Sequence, residues 1–237
     1  MTDAAPAPRP GVLLDVDGTL LDTNYLQVLA WWQAFRDTGH PEVSMADCHR
    51  AIGIGSAELV THLLGDDVPD TEEVVEAKGR RYEPLRELVV PFPRVDRLLA
   101  ACRERDLAVV LATSGMESDL EWMVPAIGGE DVVDGATTSA DVESAKPAPD
   151  LLQTAVSDNG LDAARTVAVG DTVWDVRSAR GAGLPCIALT CGGISRAELE
   201  EAGADEVYDD PADLLAHYAE SPLARPLATN THQGGLP

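Results

Sequence analysis

The sequence has almost no lysine. Its 17 basic residues include only Lys78 and Lys146, and the rest are arginine. Positive charge is scarce altogether: 17 Lys and Arg stand against 41 Asp and Glu, a formal net charge of −24. A field of that sign repels phosphate backbones and anionic lipid heads, which argues against a nucleic-acid or membrane-surface partner. No apolar run approaches the roughly 18 residues that a bilayer helix needs. Cys48, Cys102, Cys186 and Cys191 show no CxxC or zinc-finger spacing, so they read as reduced, small apolar fillers. Residues 1–10 lack the basic region and apolar stretch of a signal peptide. A cytoplasmic protein with a loose N-terminal arm is the expectation, and no internal repeat is visible.

What is present suffices for a core. Hydrophobic residues make up 45% of the 237, which excludes a wholly disordered chain despite its charge. Residues 11–14 are an apolar run that ends in Asp15-Val-Asp-Gly-Thr19, as in a strand buried on both faces. From residue 24 to about 90 apolar residues recur at helical spacing, predicting helices near 25–35, 44–52, 56–64 and 71–88. From 94 onward helices alternate with strands, expected at 107–112, 131–133, 166–169, 185–190 and 206–208. Such alternation means βα units, a parallel sheet and helices on both faces. The fold class is α/β: a Rossmann-like parallel-sheet core carrying an inserted all-helical cap. The expected divisions are an arm at 1–10, a core at 11–22 and 91–220, a cap at 23–90, and a structureless tail at 221–237.

In an open α/β sheet, ligands bind outside the carboxyl ends of the strands. Four clusters stand there: Asp15 with Asp17, Thr113-Ser114-Gly115, Lys146-Pro147, and Gly170-Asp171 followed by Asp175. Asp15 and Asp17 point the same way along a strand. If Asp171 comes from a neighbouring strand, three carboxylates converge and need a compensating cation. A hard divalent ion such as Mg²⁺ suits carboxylates and waters. Lys146 adds a positive charge, and its rarity in an arginine-rich chain marks it. A compact ammonium is not replaceable by a guanidinium in a tight phosphate pocket. A carboxylate can attack phosphorus, a second one two residues on can carry the proton, and Thr113 and nearby amides can hold phosphate oxygens.

These motifs, Asp15-x-Asp17-Gly18-Thr19, Thr113, Lys146-Pro and Gly170-Asp171-x-x-x-Asp175, resemble in order the four motifs of the haloacid dehalogenase superfamily. The resemblance runs from Gly11 to about Tyr218, and the phosphoglycolate phosphatase and β-phosphoglucomutase branch is similar. It implies Asp15 as nucleophile and Mg²⁺ ligand, and Asp17 as general acid/base with its backbone carbonyl on the metal. It implies Asp171 as a further metal carboxylate, and Thr113, Ser114 and Lys146 as holders of the phosphoryl group. Gly18, Thr19, Gly170 and Asp175 would support the loops and the metal site. The helical insert resembles that family's cap, with Gly53, Gly55 and Ser56 near its specificity loop. Trp31, Trp32 and Phe35 read as cap packing, one tryptophan being a candidate to line the cavity. His40, His49 and His62 have no metal-ligand spacing. The expected activity is Mg²⁺-dependent hydrolysis of a small phosphorylated metabolite through an aspartyl-phosphate. A phosphomutase is the alternative, but its pattern carries an arginine just before the cap glycine, where Ile52 stands here. The dehalogenase branch lacks the second acid, present here as Asp17.

Overall fold

The computed structural model describes residues 7–66, 70–142 and 144–227. Six strands form one sheet: β1 (Arg9–Leu14), β2 (Ala108–Ala112), β3 (Gly135–Thr137), β4 (Leu161–Gly170), β5 (Cys186–Leu189) and β6 (Glu206–Tyr208). Their order is β3-β2-β1-β4-β5-β6 and every pairing is parallel. The direction of winding therefore reverses at β1, the point where an open α/β sheet leaves a crevice.

Helices cover both faces of the sheet. Val12 and Leu14 of β1 face a cluster with α5 (Val95–Glu104), α6 (Glu117–Ala126) and α10 (Pro211–Ala216). Leu13 faces the other way, toward α7 (Asp150–Asp158), α8 (Val173–Ala182) and α9 (Arg196–Ala202). Alternate residues thus enter two cores, which is why β1 and β2 read as unbroken apolar runs. The four cysteines are free thiols, and three of them are fully buried.

Four further helices, α1 (Asn24–Asp37), α2 (Met45–Ala51), α3 (Ser56–Leu64) and α4 (Thr71–Tyr82), build a third cluster around Trp31, Phe35, Leu59 and Val74. This helical unit sits on the carboxyl ends of the strands. Trp174 of α8 donates its indole N–H to the Arg50 carbonyl at 3.0 Å. His49 Nε2 lies 3.1 Å from the Gly192 carbonyl. Ser114 donates its hydroxyl to the Gly53 carbonyl at 3.0 Å. Among the described residues no helix is long and apolar enough to cross a membrane.

Four expectations need correction. The strand expected at 131–133 lies at Gly135–Thr137 instead. Val132 and Val133 belong to a turn closed on the Gly129 carbonyl, and Asp134 accepts from Val109 N before pairing begins. The helix expected over 71–88 breaks at Tyr82, followed by a 3-10 turn from Glu83 to Leu88 with Pro84 in its first turn, where the missing N–H costs nothing. The arm is shorter than 1–10, because β1 begins at Arg9. The first part of the expected tail is structured: Pro222–Leu227 is a 3-10 turn and Leu223 is buried in the core. The rest of the tail, 228–237, and residues 1–6 lie outside the described residues.

Candidate active site

Asp15 follows the last residue of β1, and its N–H donates to the Val169 carbonyl of β4 at 2.9 Å. Asp171 follows the last residue of β4. The parallel register of β1 and β4 therefore brings these two carboxylates together at the crevice. Asp175 joins them from the first turn of α8. Ligand oxygens of Asp15, Asp171 and Asp175 all lie within 4.8 Å of one another, and all three residues are buried.

One ammonium serves this cluster. Lys146 Nζ lies 2.6 Å from Asp15 Oδ1, 2.7 Å from Asp175 Oδ1 and 3.0 Å from the Ala112 carbonyl oxygen. Its three N–H donors are thereby all used, and the side chain is 1% exposed. The second Asp175 oxygen caps its own helix, accepting from the backbone N–H and hydroxyl of Thr172. Thr19 donates to Asp171 Oδ1 at 2.9 Å and approaches Asp15 Oδ2 at 3.3 Å. Asn24 Nδ2 donates to Asp171 Oδ2 at 2.7 Å and to the Gly192 carbonyl at 3.0 Å.

Three carboxylates against one ammonium leave excess negative charge in a dry place. Burial pushes the Asp15 carboxyl up to about 7 against the pull of Lys146, and Asp175 and Asp17 add to the rise. Asp171 is also raised, by burial first and then by Asp175 and Asp15, despite its bonds from Thr19 and Asn24. Burial works against the charge on Lys146, yet Asp15 and Asp175 hold its pKa above the ordinary range. The ammonium stays charged while Asp15 and Asp171 hold protons tightly, because one cation is shared among three acidic residues.

That imbalance is what a hard cation would relieve. The donors are all oxygen, and Asn24 Oδ1 is a buried acceptor beside them with no hydrogen-bond partner. An oxygen-only set with surplus charge fits Mg²⁺ better than a softer metal. Asp17 is not in this cluster. Its carboxylate lines the adjoining cavity and accepts from Gln27 Nε2 at 3.2 Å.

The cavity, of about 60 Å³, lies between the sheet and the helical unit. The sheet side supplies Asp15, Asp17, Thr113, Ser114 and Gly115. The helical side supplies Gln27, Trp31, Ile52, Gly53, Ile54, Ser56, Leu59 and Lys78. Thr113 is buried, and its hydroxyl accepts from Gly115 N at 3.0 Å, which orders the turn after β2. Of the loop singled out in the sequence, Gly53 and Ser56 reach the cavity. Gly55 does not; it packs against Ala145 and Glu58. Of the tryptophan pair, Trp31 lines the cavity and Trp32 faces Arg36. Gly18 has φ +80°, and a side chain there would collide with the Asn24 amide. Gly170 closes β4 directly against the Asp175 carboxyl.

Sequence reasoning missed Asn24, Gln27 and Lys78. Asn24 and Gln27 sat at the start of an expected helix with no motif to mark them. Lys78 carried the same signal as Lys146, its rarity.

The family model described as haloacid dehalogenase-like hydrolase matches residues 12–189. The chain belongs to this family. A Dickeya dadantii protein named "Probable phosphatase IndB" is 31% identical over 214 residues, covering 87% of this chain and 92% of its own. A phosphoglycolate phosphatase of Cupriavidus necator is 28% identical, covering 92% and 96% of the two chains. The crystal structure of a hydrolase from Pseudomonas syringae superposes with a TM-score of 0.84 at 31% identity, over 90% of this chain and 99% of that one. The match spans both the sheet and the helical insert of this haloacid dehalogenase-like hydrolase.

Proposed function

We propose that this hydrolase cleaves small phosphate monoesters, with Asp15 as nucleophile and Asp17 as proton carrier. The observation that carries the reading is the contrast between two carboxylates on one strand end. Asp15 is locked into the charge cluster by Lys146 at 2.6 Å. Asp17, two residues on, stands on the cavity wall and accepts one hydrogen bond, from Gln27 at 3.2 Å. One is fixed for attack, and the other is free to exchange protons with whatever occupies the cavity. Relatives that carry phosphatase names support the same reading.

Asp15, Asp171 and Asp175, with the Asp17 carbonyl as the family resemblance implies, would hold Mg²⁺. Bound there, the cation would neutralise charge on the phosphoryl oxygens and on the nucleophile. Thr113 and Ser114 would hold the phosphoryl group in line with Asp15, and the Lys146 ammonium, its donors committed to Asp15, Asp175 and the Ala112 carbonyl, would add positive charge beside it. The Asp15 carboxylate oxygen bonds to phosphorus as the ester P–O bond breaks, and the Asp17 proton goes to the departing alkoxide. Asp17, now ionised, takes a proton from water. The resulting hydroxide displaces the Asp15 carboxylate from phosphorus, releasing inorganic phosphate. Residues 23–90 act as the cap over a core of 11–22 and 91–220. The cap excludes bulk water, which strengthens these interactions.

Phosphate release from a panel of monoesters with Mg²⁺ tests this. Asp15→Asn should abolish turnover, and Asp17→Asn should lower it by about 10²- to 10⁴-fold, the usual worth of a positioned acid/base. No release from any ester by the wild type, or a wild-type rate in Asp15→Asn, would overturn it.

A further inference from the structure

Asn24 opens α1, yet it is only 2% exposed, and its amide reaches the carboxylate cluster. The amide nitrogen faces two acceptors, Asp171 Oδ2 at 2.7 Å and the Gly192 carbonyl at 3.0 Å. Both require a donor, so the NH₂ end must lie on this side and the amide oxygen on the other. Two glycines confine the group. A Cβ at Gly18 would stand 2.6 Å from Oδ1, and one at Gly192 would stand 2.7 Å from Nδ2.

The amide oxygen is buried, and no hydrogen-bond donor among the described residues reaches it. Donors of the loop after β1 are already committed. The Gly18 N–H goes to the Leu21 carbonyl at 2.8 Å, and the Thr19 hydroxyl serves Asp171 and Asp15. A buried amide oxygen without a donor is unfavourable. Orienting Asp171 does not by itself call for an amide, since the Thr19 hydroxyl already donates to the same carboxylate. What asparagine adds there is an acceptor.

A donor that arrives with the metal would use it. Mg²⁺ dehydrates reluctantly and keeps several waters when it binds carboxylates. Water held by a cation is a strengthened donor, because the charge draws electron density from its O–H bonds. Oδ1 packs on Gly18, the residue after Asp17, and its own Nδ2 holds Asp171.

We propose that Asn24 is a positioning residue for the cation: its Nδ2 fixes Asp171, its Oδ1 accepts from a water that the cation keeps, and the pair of contacts favours Mg²⁺ over Ca²⁺. This deepens the phosphatase reading, on which it rests, at its metal site. Ca²⁺ surrounds itself with about six to eight oxygens in a flexible shell, so it gains less from one fixed acceptor behind a retained water. Asn24 is not among the residues that line the cavity, so replacing it leaves the substrate's walls in place.

Calorimetry at pH 8 measures Mg²⁺ and Ca²⁺ affinity with no substrate present, for metal-free wild type, Asn24→Leu and Thr19→Val. Thr19 is the comparator because it too donates to Asp171. Wild type should bind Mg²⁺ more tightly than Ca²⁺. Asn24→Leu keeps the volume and removes both donor and acceptor. It should weaken Mg²⁺ by about 10- to 100-fold, the usual loss when a group behind a metal ligand is removed. Ca²⁺ should weaken less, so that the ratio of the two affinities falls by about tenfold. Thr19→Val should weaken both cations alike and leave the ratio unchanged. Circular dichroism and a metal-free melt check that each variant folds. If Asn24→Leu does not, Asn24→Ala replaces it with the same expectation.

An unchanged ratio in the folded Asn24 variant overturns the proposal, including the case in which both affinities fall together, which would leave Asn24 a support for Asp171 alone. So does an equal drop of the ratio in Thr19→Val, and so does a wild type without preference for Mg²⁺ or one that binds neither cation. Phosphate release from the ester panel is read separately. A wild type that binds Mg²⁺ with the expected preference and cleaves no ester refutes the phosphatase reading and leaves the role of Asn24 standing.

Discussion

The charge imbalance at Asp15, Asp171 and Asp175 should make the metal-free protein lose stability as pH rises. In an unfolded chain Asp15 would titrate near the ordinary 3.8, and in the folded protein burial lifts it to about 7. Between those values the folded state binds more protons than the unfolded one, so stability falls with increasing pH. Its contribution is fully present below pH 3.8 and is gone above 7. At about 1.4 kcal/mol per pH unit, that span is worth on the order of 4 kcal/mol. Asp171, raised for the same reason, runs in the same direction.

A thermal melt checks this between pH 5 and 8. For a chain of this length one kcal/mol moves Tm by about 2–4 °C, so the metal-free protein should melt roughly 5–10 °C lower at pH 8 than at pH 5. Mg²⁺ at about a hundred times its Kd should restore about 2.7 kcal/mol at pH 8, and less at pH 5, where protons compete for the same oxygens. Asp171→Asn sharpens the test. It removes one of three like charges, so at pH 8 without metal it should melt above wild type while losing the Mg²⁺ response. Exposed carboxylates such as Asp37 and Asp47 are lowered by their bonds to Arg81 and Ser44. Their contributions vanish only as pH falls through the folded pKa, below this window. His217, raised by its bond to the Asp213 carbonyl, has the same sign as Asp15, and a His217→Gln background removes it. A metal-free Tm that is flat or rises from pH 5 to 8, or an Asp171→Asn protein with an intact Mg²⁺ shift, would refute the reasoning.

Three other outcomes follow from single contacts. Lys146→Met should cost about 3–5 kcal/mol in metal-free protein at pH 8, the penalty for stranding buried charges, and much less at pH 5; paired melts would show it. Gly192→Ala should abolish both the Mg²⁺-induced Tm shift and turnover, because a Cβ there would overlap the Asp171 carboxylate and the Asn24 amide; a retained shift would mean that the loop simply moves. Gln27→Leu should lower kcat by up to about tenfold with little change in KM, since it frees Asp17 without touching the phosphoryl side; steady-state kinetics on one ester decides it.

The parts of the site that were legible in the sequence are those carried by strand ends. An apolar run buried on both faces can be recognised locally, and the residue that follows it must emerge at the edge of the sheet. That argument alone located Asp15, Thr113 and Asp171. The illegible parts depend on which elements meet. Asn24 touches Asp171 across 147 residues of chain, and nothing near Asn24 in the sequence states that the α1 start will dock on the β4 end. Asp175 looked like support for a metal. In the folded protein it also closes the Thr172 capping box and holds Lys146, a double role that two oxygens on one short side chain make possible. The third strand was misplaced for a different reason. Gly135-Ala136-Thr137 has no apolar signature, and the neighbouring Val132 and Val133 reach the core from a turn.

The scarcity of lysine has a geometric account at both positions. At Lys146, three acceptors from three different elements surround one nitrogen: Asp15 after β1, Asp175 on α8 and the Ala112 carbonyl at the end of β2. A tetrahedral ammonium meets three converging acceptors with three N–H bonds. A planar guanidinium spreads its donors in a fork and would need acceptors side by side. Elsewhere the chain offers such forks and uses arginine, as in the two bonds from Arg81 to the Asp37 carboxylate. At Lys78 the nitrogen sits between two aromatic faces on a cavity wall, where a point charge leaves the space in front of it for a ligand. Where the surroundings accept a fork, this chain uses arginine, and its two lysines stand where a point charge is required.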